Sequence, residues 1–198
     1  MSNLQISEKG IPWMAAADEQ HVILRAREGN DAAFRILVER YMKQTYNIAF
    51  GFVNDHDDAE DLAQEAFVRV YQSLRTFRGD SEFSTWLYRI VMNLSLNKIR
   101  QKKHKVQREV QLVDHTPLHN GISTMPPSQP DLTMHIERAL LQLSTLQRSV
   151  VVLRHINGLS TKQTSAVLRC SEGTVKTHLH RGLKKMRKLL HYLKDEEL

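Results

Sequence analysis

The chain has 198 residues, a formal net charge of +6, and 41% hydrophobic against 25% charged residues. That size suits one ordinary domain or two small ones, and the composition is close to a soluble globular average. No apolar run nears the ~18 residues that span a bilayer, no basic start with an apolar core marks a secretory signal, and one cysteine, Cys170, forms neither an internal disulfide nor a cysteine metal cluster.

Helical periodicity dominates, and alternating β-branched runs are scarce. Residues 1–17 read as a disordered arm. Helices are expected near 18–28, 31–53, 56–75 and 83–104, then 132–143, 146–157, 160–168 and 171–191, with Asp31, Ser84 and Ser171 as plausible caps. The stretch FRGDSE (77–82) separates the third helix from the fourth, and Gly79 supplies the turn freedom. Residues 110–130 hold four prolines and no helix period, so they read as a linker.

Charge is unevenly placed. Residues 55–65 carry six acids (Asp55, Asp57, Asp58, Glu60, Asp61, Glu65) and no Lys or Arg. Residues 98–108 carry six bases and no acid, and so do residues 176–188. Two separate basic patches point to two contacts with nucleic acid. The acidic helix needs another partner. Its core stripe is Leu62, Ala63, Ala66, Phe67, Val70 and Leu74, while Asp57, Asp61, Gln64 and Val68 face away with Glu65 beside them. A carboxylate and amide face repels DNA and suits a basic protein surface.

The fourth helix has a core stripe of Phe83, Leu87, Ile90, Val91 and Leu94. A second stripe runs beside it: Trp86, Arg89, Asn93, Asn97, Arg100 and His104. Rings stack on unpaired bases, amides read base edges and arginines hold phosphates, so this stripe suits single-stranded DNA. Trp86 sits at the border of the two stripes, and Tyr88 reads as a core aromatic.

Residues 157–190 have helix-turn-helix spacing. At 100° per residue, Val175, Leu179, Leu183, Met186 and Leu190 share one stripe of the last helix. Thr174, Thr177, Arg181, Lys184 and Lys188 share the opposite one, flanked by Lys176, His178 and His180. An apolar back and a donor-rich front suit a helix lying in the major groove.

Three ordered motifs, DAEDLAQEAFVRVY, FRGDSEFSTWLYRIVMNLSLNKIR and LQRSVVVLRHINGLS…SEGTVKTHLHRGLKKMRKLL, resemble an extracytoplasmic-function sigma factor of bacterial RNA polymerase. The resemblance implies an all-α chain of two small helical domains joined by a flexible linker. These are a four-helix region 2 at 18–108, a linker at 109–130, and a helix-turn-helix region 4 at 131–198. It implies that Asp57, Asp61, Gln64 and Glu65 meet the clamp helices of the polymerase β′ subunit. Phe77, Arg78, Gly79, Asp80 and Ser81 would form the loop that receives a flipped base of the −10 element. Trp86, Arg89, Asn93, Asn97 and Arg100 would serve strand separation and −10 contact. Thr174, Lys176, Thr177, His178, His180, Arg181 and Lys184 would read the −35 element.

The implied partners are core polymerase (β′ clamp helices and β flap), promoter DNA and an anti-sigma protein, acting in the cytoplasm. No cofactor, metal, small-molecule substrate, catalytic residue or membrane insertion is expected. The sequence departs from the family at 143–145, where Leu-Ser-Thr stands for a usual Leu-Pro. It departs also at Thr164 and Ser165 for Ile-Ala, at Arg169 for glycine, and at His178 for arginine. Two rivals remain: a LuxR-type operator-binding regulator, which would lack the acidic docking face, and an enzyme with a metal near NDHDDAEDLAQE, which lacks a second histidine at ligand spacing.

Overall fold

The computed structural model describes residues 16–112 and 132–194, and these are helical and turn structure throughout. The first module contains α1 (Ala16–Arg27), α2 (Asp31–Val53), α3 (His56–Ser73) with a 3-10 turn (Leu74–Thr76), and α4 (Phe83–Leu112). The second contains α5 (Leu132–Leu141), α6 (Thr145–Val151) running into a π-helical segment (Val152–Ile156), α7 (Thr161–Leu168), α8 (Glu172–Leu189) and a closing 3-10 turn (His191–Lys194). Of the expected arm at 1–17 and linker at 109–130, residues 1–15 and 113–130 lie outside the described residues, whereas 16–17 open α1 and 109–112 close α4.

Local sequence explains where these helices start. Asn30, not Asp31, caps α2: its side chain accepts the Ala33 amide at 2.9 Å. Asp31 is instead the first helical residue, where a carboxylate favours the positive end of the helix. Ser84 likewise does not cap α4; it lies inside the first turn, 3.4 Å from Glu82 Oε2. Ser171 does cap α8, accepting the Thr174 amide at 3.1 Å. Ser144 and Ser160 each form a full capping box, with Gln147 and Gln163 reaching back. The Ser144 box starts α6 where the family's proline would, and Arg169 ends α7 in the left-handed conformation (φ 52°) that glycine usually takes. The fourth helix runs to Leu112 rather than 104, because 105–112 contains good helix formers and neither Gly nor Pro.

The two modules share a core. Leu37, Ile48, Phe52, Val70, Leu87 and Val91 of the first module are essentially inaccessible, and Val152, Leu153, Leu159 and Val167 of the second join the same cluster. Val151 turns the other way, into a second cluster with Leu140 and Leu143, against which Leu179, Leu183 and Met186 pack. Two helical glycines make room for this pair of valines. A Cβ on Gly51 of α2 would lie 2.8 Å from both Val152 methyls, and one on Gly182 of α8 would lie 2.9 Å from Val151 Cγ2.

Polar bonds reinforce the junction. Arg148 donates to Leu140 O (2.9 Å), Leu141 O (2.5 Å) and, across the modules, Phe52 O (3.1 Å). It thereby supplies a donor to the Leu141 and Phe52 carbonyls at the C-terminal ends of α5 and α2, and shares the Leu140 carbonyl with the Leu143 amide. Burial pushes the Arg148 pKa down. Gln44 bridges Tyr88 and the Asn157 carbonyl, donating to the latter at 3.1 Å.

Candidate nucleic-acid and protein interfaces

The acidic helix α3 behaves as its periodicity predicts. Ala59, Leu62, Ala63, Ala66, Phe67 and Val70 are buried, while Asp57, Asp61, Gln64 and Glu65 are exposed. Glu65 is loosely held by Arg69, one turn on, at 2.6 Å. Val68 and Tyr71 are also exposed, at 54% and 53%, so the polar face continues into an apolar patch. The sequence pattern places Val68 on that face; Tyr71 is an addition. Asp58 points the opposite way. It pairs with Lys98 at 2.8 Å and with Lys102, and these two ammonium groups hold its carboxyl below the usual range. Two of the six bases in the 98–108 run are therefore used internally and turned away from the Trp86–Arg100 stripe.

The loop after the 3-10 turn is open at its tip. Arg78, Gly79 and Asp80 are exposed and Ser81 is half-buried, with Gly79 at φ 80°. Phe77 is not part of that tip. Its ring is buried 4.9 Å from Trp86 and 6.0 Å from Phe83, so it anchors the loop to the core. Trp86 is half-buried on this cluster, as its border position implies. Tyr88 is buried, with its hydroxyl bonded to Gln44, and burial pushes its pKa up.

Further along α4, Asn93, Asn97 and Arg100 are exposed, and Arg100 donates to Asn97 at 3.2 Å. Arg89 of the same stripe is engaged. It donates twice, at 3.1 and 2.5 Å, to the Ala166 carbonyl near the end of α7. Burial, and then the charge of Arg169, lower its pKa. One residue before α4, Glu82 accepts from Gln163 of α7 at 3.3 Å. The first helix of the helix-turn-helix thus lies over one end of the stripe.

On α8, Lys176, Thr177, His180, Arg181 and Lys184 are exposed, and Thr174 and His178 are half-buried. Val175 and Gly182 are buried on the opposite side. Not every polar group here is free. The Thr177 hydroxyl donates to Gly173 O at 2.9 Å, and Lys185 donates to Gln142 O at 2.6 Å.

A cleft on the first module escaped the sequence reading. It lies between α1 and the 77–84 loop, with Gln20, Ile23, Leu24 and Arg27 on one wall and Arg78 and Glu82 on the other. Nothing in the periodicity of either segment pairs them. Among the described residues no group of three or more His, Cys, Asp or Glu is placed to hold a metal, and no helix is long and apolar enough to cross a membrane.

Comparison with known proteins fits two modules of this kind. The sigma-70 region 2 model matches residues 37–105, and the sigma-70 region 4 model matches 133–186. The ECF RNA polymerase sigma factor SigW of Bacillus subtilis is 34% identical over 176 residues, covering 85% of this chain and 94% of the relative. The RNA polymerase sigma-H factor of Pseudomonas aeruginosa is 31% identical over 186 residues, covering 90% and 96%. Two solved structures share the fold. The sigma factor RpoE of Bartonella quintana, in complex with the anti-sigma factor NepR, has a TM-score of 0.64 at 24% identity, covering 80% of this chain and 96% of that one. CnrH, in complex with the cytosolic domain of CnrY, has a TM-score of 0.62 at 25% identity, covering 88% and 97%.

The chain belongs to the extracytoplasmic-function branch of the sigma-70 family. It is a sigma factor: it binds core RNA polymerase and directs promoter-specific initiation of transcription. The LuxR-type reading is not favoured.

Proposed function

We propose that the two modules divide the work of initiation. The outward face of α3, with Asp57, Asp61, Gln64 and Glu65, docks on the β′ clamp helices. The loop tip at Arg78–Ser81 and the stripe of Trp86, Arg89, Asn93, Asn97 and Arg100 engage the −10 element as it opens. The α8 face, with Lys176, His180 and Arg181 at its centre, reads the −35 element in the major groove. The second module also meets the β flap. The chain works in the cytoplasm and performs no chemistry itself. An anti-sigma partner is expected, as for RpoE of Bartonella quintana with the anti-sigma factor NepR.

One observation carries this reading: α3 and α8 each bury an apolar stripe and expose the opposite charge, acid on α3 and base on α8. One polyanion cannot satisfy both. A basic protein surface suits the first and DNA the second. Promoter engagement also requires α7 to leave α4, because Arg89 is bonded to Ala166 when the modules are packed.

The test reverses charge on the docking face. The double variant Asp61→Arg with Glu65→Arg should lose core polymerase affinity by at least tens-fold while keeping its helical content, since both side chains point away from the core. Unchanged affinity in a titration against core enzyme would remove α3 as the docking surface.

A further inference from the structure

We infer that α1 forms the second wall of the site that receives the flipped −10 base, and that Gln20 reads the edge of that base. The inference rests on the proposed role of the 77–81 loop and adds a helix outside the matched region 2 segment, which starts at residue 37. The cleft between α1 and the loop has the chemistry an unstacked base needs. Ile23 and Leu24 give it an apolar side, and Leu24 is 52% exposed although it is leucine. Gln20 is exposed at the cleft and Arg27 is half-buried there. Opposite them stand Arg78 and Glu82.

α1 is firmly placed for this role. Val22, Ile23 and Ala26 are buried against the bundle. Glu19 accepts from the Tyr41 hydroxyl and lies 3.8 Å from Arg40. The neighbouring Gln20 is therefore held over the cleft by a rigid element. The Gln20 amide sets a donor beside an acceptor, which matches the N7 and N6 edge of adenine, and the Glu82 carboxylate only accepts, so the site favours a base with an exocyclic amino group over thymine. Arg27 and Arg78 flank it with the charge that holds a phosphate.

The experiment uses holoenzyme reconstituted with core polymerase on pre-melted promoter templates carrying each of the four bases at each −10 position. Wild type should discriminate against thymine at one position. Gln20→Ala should reduce that discrimination by about 5- to 150-fold at that position alone, the range for one good base-edge contact. Leu24→Ala should weaken all four bases there equally. Both side chains are exposed, so thermal midpoints should not move. An unchanged base profile for Gln20→Ala beside a discriminating wild type overturns the role of α1 and leaves the loop's role intact. A flat wild-type profile at every −10 position overturns both.

Discussion

The helices α4 and α8 are both amphipathic, both carry a basic run in their C-terminal halves, and both are proposed to meet DNA. They differ in what covers them. The recognition face of α8 is open along its length, from Lys176 to Lys184. The stripe on α4 is open at Asn93, Asn97 and Arg100 but closed at Arg89 by α7. One proposed DNA surface is therefore available in the packed chain, while the other would be complete only after the modules part. The difference lies in what each helix has behind it. Val151 and Gly182 seat α8 within its own module, whereas α4 shares its core with Val152, Leu153 and Val167 of the neighbouring module.

The largest effect should come from the bolt that holds the modules together. Arg148→Ala leaves the Leu141 and Phe52 carbonyls, at two different helix ends, without a donor and removes one of two donors from the Leu140 carbonyl, and should lower stability by about 3 kcal/mol. Urea denaturation would measure it. A loss under about 1 kcal/mol would mean that the junction rests on the valines alone.

Next come the two DNA helices themselves. Arg181→Ala should weaken duplex binding at the −35 element by about 1–3 kcal/mol, and pre-melting the −10 region should not restore it. Trp86→Ala should lose about 1–3 kcal/mol of stacking and slow strand opening, and a pre-melted bubble should recover much of that defect. Permanganate footprinting on both templates separates them. Equal rescue of both variants would erase the distinction between α4 and α8.

The smallest effect concerns the clasp between α3 and α4. The folded pKa of Asp58 is depressed, so its contribution is present above its unfolded pKa and is lost as pH falls through the folded value. Asp58→Asn should cost about 1 kcal/mol at pH 7, and this difference from wild type should fade as acidification protonates the folded-state carboxyl. A pH-independent difference would mean that the side chain matters for packing rather than for charge.

How much of this was legible in the sequence differs by level. The buried stripes of α3, α4 and α8 follow from 3.6-residue periodicity, and helix-breaking FRGDSE placed the loop correctly. Phe77 shows the limit: the family resemblance groups it with the loop, but its ring turns inward against Trp86 and Phe83. The caps at Asn30, Asp55, Ser144 and Ser160 are legible in residue type and spacing, each an Asn, Asp or Ser just ahead of a helical run. The junction was not readable, because Arg148, Arg89 and Gln44 bond to backbone carbonyls, which every residue carries. Gly51 left one trace. A glycine inside a 23-residue helix costs about 1 kcal/mol against alanine, which signals close approach without saying to what. The cleft under α1 combines segments more than fifty residues apart, and no local pattern links them.

The covering of α4 is tested most directly by distance. Dyes on Arg75→Cys and Lys162→Cys, in a Cys170→Ser background, place one label on an exposed site of each module. The free chain should give a single high-efficiency energy-transfer population, and Gly51→Ala should broaden it, because the added methyl meets Val152. Core polymerase should replace it with a low-efficiency population as α7 leaves α4. The same high efficiency with and without core polymerase would contradict the account.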